Sequence, residues 1–194
     1  MPLPRFHRLP AEEQRRILDI ALETFAADGA DAASYNQIIA TAGISRSSAY
    51  NYFDGREDLL RAVLDEVATR FGEALGTWSP AGDVTEFWAE LEASTERVAA
   101  HIEKHPSDVA LVDVAFLDRT LGRFTGWIED LVANGADLGL VTIPVDRELV
   151  VTATTAVLPA FDSWTIEQLR AGRTPSFDVL RTLLSHLWGA SDGH

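Results

Sequence analysis

Arg46, Ser47, Ser48 and Asn51 are the residues whose types and spacing come closest to a chemistry. A forked guanidinium can bridge guanine O6 and N7, and short hydroxyls and an amide can meet base edges or phosphates. Catalytic sets do not assemble in the same way. Asp108, Asp113 and Asp118 recur every five residues, so they share no clean helix face, and no serine stands beside a histidine in a nucleophile setting. The chain has no cysteine, which removes thiolate nucleophiles and thiolate metal sites. His101 and His105, four apart, could share a zinc ion on a helix. Glu103 between them has the wrong offset for a zinc-protease motif, and His105 closes its helix before Pro106. The expectation is no enzyme, no metal and no cofactor.

The elements that must position these polar residues read as one helix after another, with no sustained period-two alternation. A first helix opens near Pro10 with Glu12 and Glu13 at its positive end, places Ile17, Ala21 and Phe25 on one face, and ends at Asp28-Gly29. Ser34 can cap a short second helix to about Thr41, which buries Ile38 and Ile39. Ala42-Gly43-Ile44 makes a tight corner, and Ser45 can cap a third helix to about Tyr52. Two helices joined by a three-residue corner with glycine describe a helix-turn-helix. A fourth helix runs from about Arg56. Beyond the Ser79–Gly82 linker, Asp83 and Glu86 signal a fifth to about Lys104. Pro106 starts a sixth, a seventh covers about 120–132 and stops at Asn134-Gly135, an eighth covers about 146–171, and Pro175 starts a ninth that ends near Trp188.

The net charge of −14 is unevenly spread. Residues 1–60 carry six arginines against nine acids, and the other ten basic and 21 acidic residues lie beyond. The N-terminal part is therefore no polybasic module, and nucleic-acid contact has to come from a few placed cations. Charges are expected to break each apolar run short of a membrane span, and no apolar run follows Arg5 as a secretory signal would require. The chain is expected to be cytoplasmic, with no membrane partner.

The run from Ile38 to Leu60, IIATAGISRSSAYNYFDGREDLL, resembles the signature of the tetracycline-repressor (TetR) family, and Ala21-Leu22-Glu23-Thr24-Phe25 with Gly29 is similar to that family's first helix. The resemblance spans about residues 14–64. It implies that Ser34 caps the second helix and touches phosphate, and that Ser45, Arg46, Ser47, Ser48 and Asn51 form the recognition helix. It further implies that Tyr50 and Tyr52 reach the sugar-phosphate backbone, and that Arg56 meets a phosphate where a lysine is usual. For Tyr50, packing beside Phe53 is the competing reading, whereas Tyr52 reads as exposed. Tyr35-Asn36 departs from the usual small pair, and Tyr35 joins the candidate DNA-binding residues.

The fold expected is all-α: a helix-turn-helix DNA-binding domain over 1–56 and a helical regulatory domain over 57–194, connected by the fourth helix (about 56–76). Trp88, Phe116, Trp127, Phe161 and Trp164 suit core or an apolar ligand pocket. Pro159 frees the carbonyl of Thr155, which with the Thr154 and Thr155 hydroxyls would form a polar wall. The resemblance implies that the last two helices pair with their copies. The expected function is a homodimeric repressor, released from double-stranded operator DNA by a small apolar or aromatic effector. The alternatives are an activator or ligand-independent regulator of the same fold, an enzyme, and a protein-interaction module with a decayed motif.

Overall fold

The computed structural model describes residues 1–111 and 114–190, with side chains at all of these except 114–121 and 169–170. Every regular element among them is helical. A single 3-10 turn, Phe6–Arg8, precedes α1 (Ala11–Asp28), α2 (Tyr35–Thr41), α3 (Arg46–Tyr52), α4 (Arg56–Leu75), α5 (Val84–Lys104), α6 (Pro106–Ala110), α7 (Val114–Asp137), α8 (Arg147–Arg170) and α9 (Phe177–Trp188). The chain divides into two compact units, one of Met1–Glu73 with Ala100–Val112, the other of Ala74–Ala99 with Asp113–His194.

In the first unit, α1 buries Ile17, Leu18, Ala21, Leu22 and Phe25, the apolar stripe that its spacing prescribes. α2 adds Ile38 and Ile39, and α4 adds Leu59, Ala62, Val63 and Val67. A charge network fastens α4 to its neighbours. Arg70 is bonded to Asp19 of α1, to Glu66 one turn back (3.2 Å) and to the buried Asp108 of α6 (3.4 Å). Burial alone would lower the Arg70 pKa, but Asp19, Asp108 and Glu66 outweigh it and hold the guanidinium above its ordinary value. The other Asp108 oxygen lies 2.7 Å from His101 Nε2, so that imidazole nitrogen has a partner within the protein.

The second unit closes on Phe87, Trp88, Leu91, Ile128, Leu131, Val132, Val150, Leu180, Leu184 and Trp188. α7 does not stop at Asn134-Gly135 but continues to Asp137. Asn134 is a stitch and not a cap: its Oδ1 accepts from the Ala81 amide (2.8 Å) and from Trp78 Nε1 (3.2 Å), and its Nδ2 donates to the Ala81 carbonyl (3.0 Å). Trp188 Nε1 donates to the buried Thr154 hydroxyl at 2.9 Å, and the Thr155 hydroxyl donates to Val151 O at 2.7 Å. Both hydroxyls of the expected polar wall are therefore engaged inside the fold. α8 continues through Pro159. It also overturns the expectation that charges break every apolar run: Arg147–Gln168 is long and apolar enough to cross a membrane by length and composition, since Asp162 is the sole charge between Glu148 and Glu167.

Thr154→Val keeps the side-chain shape but strips the Trp188 indole of its acceptor. We expect a loss of about 1–3 kcal/mol, read as a lower urea midpoint at unchanged slope.

Candidate nucleic-acid interface

The corner between α2 and α3 is set by backbone chemistry. Gly43 takes φ +67°. Its N–H donates to Ala40 O (3.0 Å), and that of Ile44 donates to Ile39 O (3.1 Å), the paired bonds of a helix ended by a left-handed residue. Ala42 is fully buried, and its carbonyl accepts from Arg16 of α1 at 2.9 Å. Glu13 holds the same guanidinium through two bonds of 3.0 and 2.7 Å. The corner is thus tied to α1 at a single carbonyl.

Both expected caps are present. The Ser34 hydroxyl accepts from the Gln37 amide (3.4 Å), and that of Ser45 accepts from the Ser48 amide (3.1 Å). Ser45 also lies 3.0 Å from the Ser47 hydroxyl and donates to that of Ser48 (2.9 Å). Arg46 and Ser47 are exposed, while Ser48 and Asn51 are half-buried, and Asn51 Nδ2 donates back to Ser47 O at 2.7 Å. Of the four residues expected to face outward, two do so fully.

Of the two tyrosines, Tyr50 is the exposed one and Tyr52, read as exposed, is partly covered. Tyr50 is 62% exposed, and its ring lies 6.0 Å from that of Tyr35. Tyr52 is half-buried, edge-on to Phe6 with ring centres 6.2 Å apart, and Phe53 is fully buried with its ring centre 4.7 Å from that of Phe6. The cause is the N-terminal segment, which the helical reading missed. Leu3 N donates to Tyr52 O (2.8 Å), and Phe6 is buried against the end of α3. Leu3, Phe6 and Leu9, three apart, were the available signal. The Tyr35 hydroxyl is buried without a partner, and burial pushes its phenol above the ordinary pKa, with Tyr50 and Asp58 adding to the shift.

Arg56, expected to hold a phosphate, donates one guanidinium N–H to the carbonyl of Ala30. That bond ties the start of α4 to the loop between α1 and α2. Asp58, one turn into α4, is buried. Burial pushes its carboxyl up, but the terminal amine of Met1 and the Asp54 amide bond it and bring it below its usual value. Among the candidate DNA-binding residues, Ser34, Ser45, Arg46, Ser47 and Tyr50 are exposed, and Arg46 has no hydrogen bond or ion pair among the described residues.

The candidate effector residues lie in the second unit. Trp88 belongs to the core, stacked on Trp188 (6.2 Å, 21°) with Arg181 5.5 Å above it. Trp127 is partly buried, edge-on to Trp78 (5.5 Å), and its Nε1 is buried with no partner. Phe161 and Trp164 have ring centres 5.8 Å apart. The Phe116 side chain lies outside the described residues.

Residues 17–63 match the family model described as bacterial regulatory proteins, tetR family. The HTH-type transcriptional regulator SrpR of Pseudomonas putida is 47% identical over 55 residues, 28% of this chain and 26% of that protein. LuxR of Vibrio harveyi, also an HTH-type transcriptional regulator, is 35% identical over 72 residues, 37% of this chain and 35% of that one. These alignments span only about a quarter to a third of each relative. Over the whole length the likeness is one of fold. The fatty acid degradation regulator FadR from Bacillus halodurans aligns with TM-score 0.66 at 15% identity over 96% of this chain and all of that one. A TetR-like transcriptional regulator from Rhodococcus sp. RHA1 aligns at 0.57 and 24% identity over 94% and 97%.

The two arginines should separate by stability before any DNA is added. Arg56→Ala loses a charge-assisted bond to a backbone carbonyl and should cost about 1–2 kcal/mol. Arg46→Ala should leave the melting temperature unchanged. Equal melting temperatures for the two variants would remove the structural role assigned to Arg56.

Proposed function

Taking the chain as what its N-terminal third makes it, a TetR-family DNA-binding transcriptional regulator, we propose that it acts as a homodimeric repressor released from operator DNA by a small apolar or aromatic effector. The observation that carries the DNA half is the α2–α3 pair. A corner fixed by Gly43 and Arg16 presents α3 with Arg46, Ser47 and Tyr50 exposed, and Arg46 is unspent on the fold. In this reading Arg46 and Ser47 reach base edges, while Ser34, Ser45 and Tyr50 meet the sugar-phosphate backbone. Ser48 and Asn51 hold the helix's shape, Tyr35 supports Tyr50, Tyr52 seats the N-terminal segment, and Arg56 contributes charge near phosphate with its remaining donors.

The dimer is supported by α8. Leu149, Thr152, Ala156, Ala160 and Trp164 are exposed and recur every three or four residues, which makes one stripe. Val150 and Thr154 on the other side are buried, so the helix has an inner face and an unpartnered outer one. Val179 and Leu183 of α9 are exposed as well. A second copy covers such a stripe, and small residues at its centre allow close approach. Two recognition helices about 34–36 Å apart would enter successive major grooves. An effector that binds the second unit more tightly in a released arrangement shifts that spacing, and only its differential affinity can do so. α4 and α5 each run from one unit into the other, so they are the segments through which such a shift passes.

Light scattering at micromolar concentration should give a dimer mass, and Ala156→Glu should give a monomer that still melts cooperatively. A monomer mass for the unmodified chain ends the dimer reading. On DNA, Arg46→Ala should cost about 1–3 kcal/mol on operator and relax preference at one base pair per half-site. A salt titration on operator and scrambled duplexes checks it, because equal losses on both would make Arg46 a phosphate contact only.

A further inference from the structure

Residues 1–11 carry two arginines and no acid, in a chain of net charge −14. The segment is ordered by its own backbone bonds. Phe6 N donates to Leu3 O (2.9 Å), Arg8 N to Arg5 O (3.3 Å) and Leu9 N to Phe6 O (3.0 Å), which closes the 3-10 turn. It is also pinned at both ends inside the first unit. Leu3 N donates to Tyr52 O at the end of α3 (2.8 Å), and Leu9 O accepts from Gln14 Nε2 of α1 (2.8 Å). Between these pins Phe6 is 2% exposed, set against the rings of Tyr52 and Phe53. Side chains three apart eclipse one another in a 3-10 turn. Arg5, with helical φ −72° and ψ −32°, and Arg8 therefore share a face, and both are exposed. Neither guanidinium has a hydrogen bond or ion pair among the described residues. The fold thus holds two unspent cations side by side on a rigid turn at the end of the recognition helix.

We propose that this turn is a second DNA-contacting element, in which Arg5 and Arg8 clamp neighbouring phosphates of one strand beside the end of α3. The proposal rests on the DNA-binding reading above and adds a sequence-independent contact to it. A rise of about 2.0 Å per residue sets the two arginines about 6 Å apart along the turn. Phosphates of one strand follow each other about every 3.4 Å of duplex axis, so one strand offers both arginines a partner. Tyr52 stands about 9 Å along the α3 axis from Arg46. With Arg46 on base edges in a major groove about 12 Å wide, the far end of α3 comes to the rim of the groove, which phosphates line. Phe6 seats the turn at that end. Cations already fixed on one face lose little freedom on binding, so they hold phosphate better than the same residues on a loose tail. A turn closed by its own bonds is too broad to thread a minor groove about 6 Å wide, and the contact is therefore to phosphate and not to base edges.

The test is a salt titration of the full chain on two duplexes of equal length, one A·T-rich and one G·C-rich, read by fluorescence anisotropy. Arg5→Gln combined with Arg8→Gln should flatten the slope of log affinity against log salt by about two units for each turn engaged, on both duplexes alike. Arg5→Lys combined with Arg8→Lys should keep the slope, because neutralising a phosphate asks only for charge. Arg173→Glu, in the second unit, shifts the net charge by as much as the glutamine pair does and should keep the slope; that arm separates a placed contact from the general acidity of the chain. An unchanged slope in the glutamine pair, a loss confined to the A·T-rich duplex, a lysine pair as flat as the glutamine pair, or an equal loss in Arg173→Glu overturns the clamp. Arg46→Ala keeps the two readings apart. If it weakens binding while the glutamine pair does not, recognition by α3 stands and the clamp falls. An unmodified chain that binds neither duplex at low salt defeats both.

Discussion

The bond from the Arg16 guanidinium to the Ala42 carbonyl is the contact on which the DNA-facing surface depends. A helix-turn-helix works only if the second helix leaves the first at a fixed angle, and a seven-residue helix cannot hold its own direction. Here the direction is imposed at the corner. Gly43 adopts a φ that other residues resist, two backbone bonds close the end of α2, and Ala42 is buried so completely that its carbonyl needs a partner inside the protein. Arg16 supplies it, and Glu13 keeps that arginine in place. Loss of this contact would leave a buried acceptor and a free corner together. Arg56 does the same work at the Ala30 carbonyl, so two of the six N-terminal arginines are spent on backbone carbonyls.

The helices themselves were legible because their signals are local. Ser34 and Ser45 cap where they were expected to, Gly43 turns the chain, and Pro106 opens α6. The failures are all non-local. Asn134-Gly135 has the composition of a helix end, but the Asn134 amide is drawn to the Ala81 backbone 53 residues away, and the helix runs on. Tyr50 and Tyr52 could not be assigned from their own spacing, because Phe6 decides the matter, and the three-residue spacing of Leu3, Phe6 and Leu9 does not say which later residue it packs on. Thr154 read as a pocket group because nothing in sequence pairs it with Trp188. The family resemblance placed the helix-turn-helix, but it could not show that Arg56 donates to the Ala30 carbonyl, since a family position fixes a residue's neighbourhood and not its hydrogen bonds.

α8 has two faces of different character. Its outer stripe, from Leu149 to Trp164, is mostly apolar and small, while its inner side carries the Thr154 hydroxyl, bonded by Trp188, and the Thr155 hydroxyl, bonded to Val151. A charge at Ala156 or Ala160 would spoil any seam packed on that stripe, whereas Asp162, two residues from Ala160 and from Trp164, lies off it.

The acidity of the chain bears on how it would hold DNA. Net charge −14 repels a phosphate backbone at long range, and screening at about 8 Å in physiological salt confines attraction to cations at the contact itself. Arg16 and Arg56 are committed to the fold, which leaves Arg5, Arg8, Arg15 and Arg46 exposed and unpaired in the N-terminal sixty residues. Each neutralised phosphate steepens the salt dependence by slightly under one unit, so a chain with so few cations has little sequence-independent affinity to draw on. Weak non-specific binding raises the share of the free energy that must come from base edges and from the fit of α3 to the groove. The rigidity of the corner then matters twice over. A recognition helix that wandered would lose shape complementarity, and no surplus of phosphate contacts would hold the protein in place while it searched.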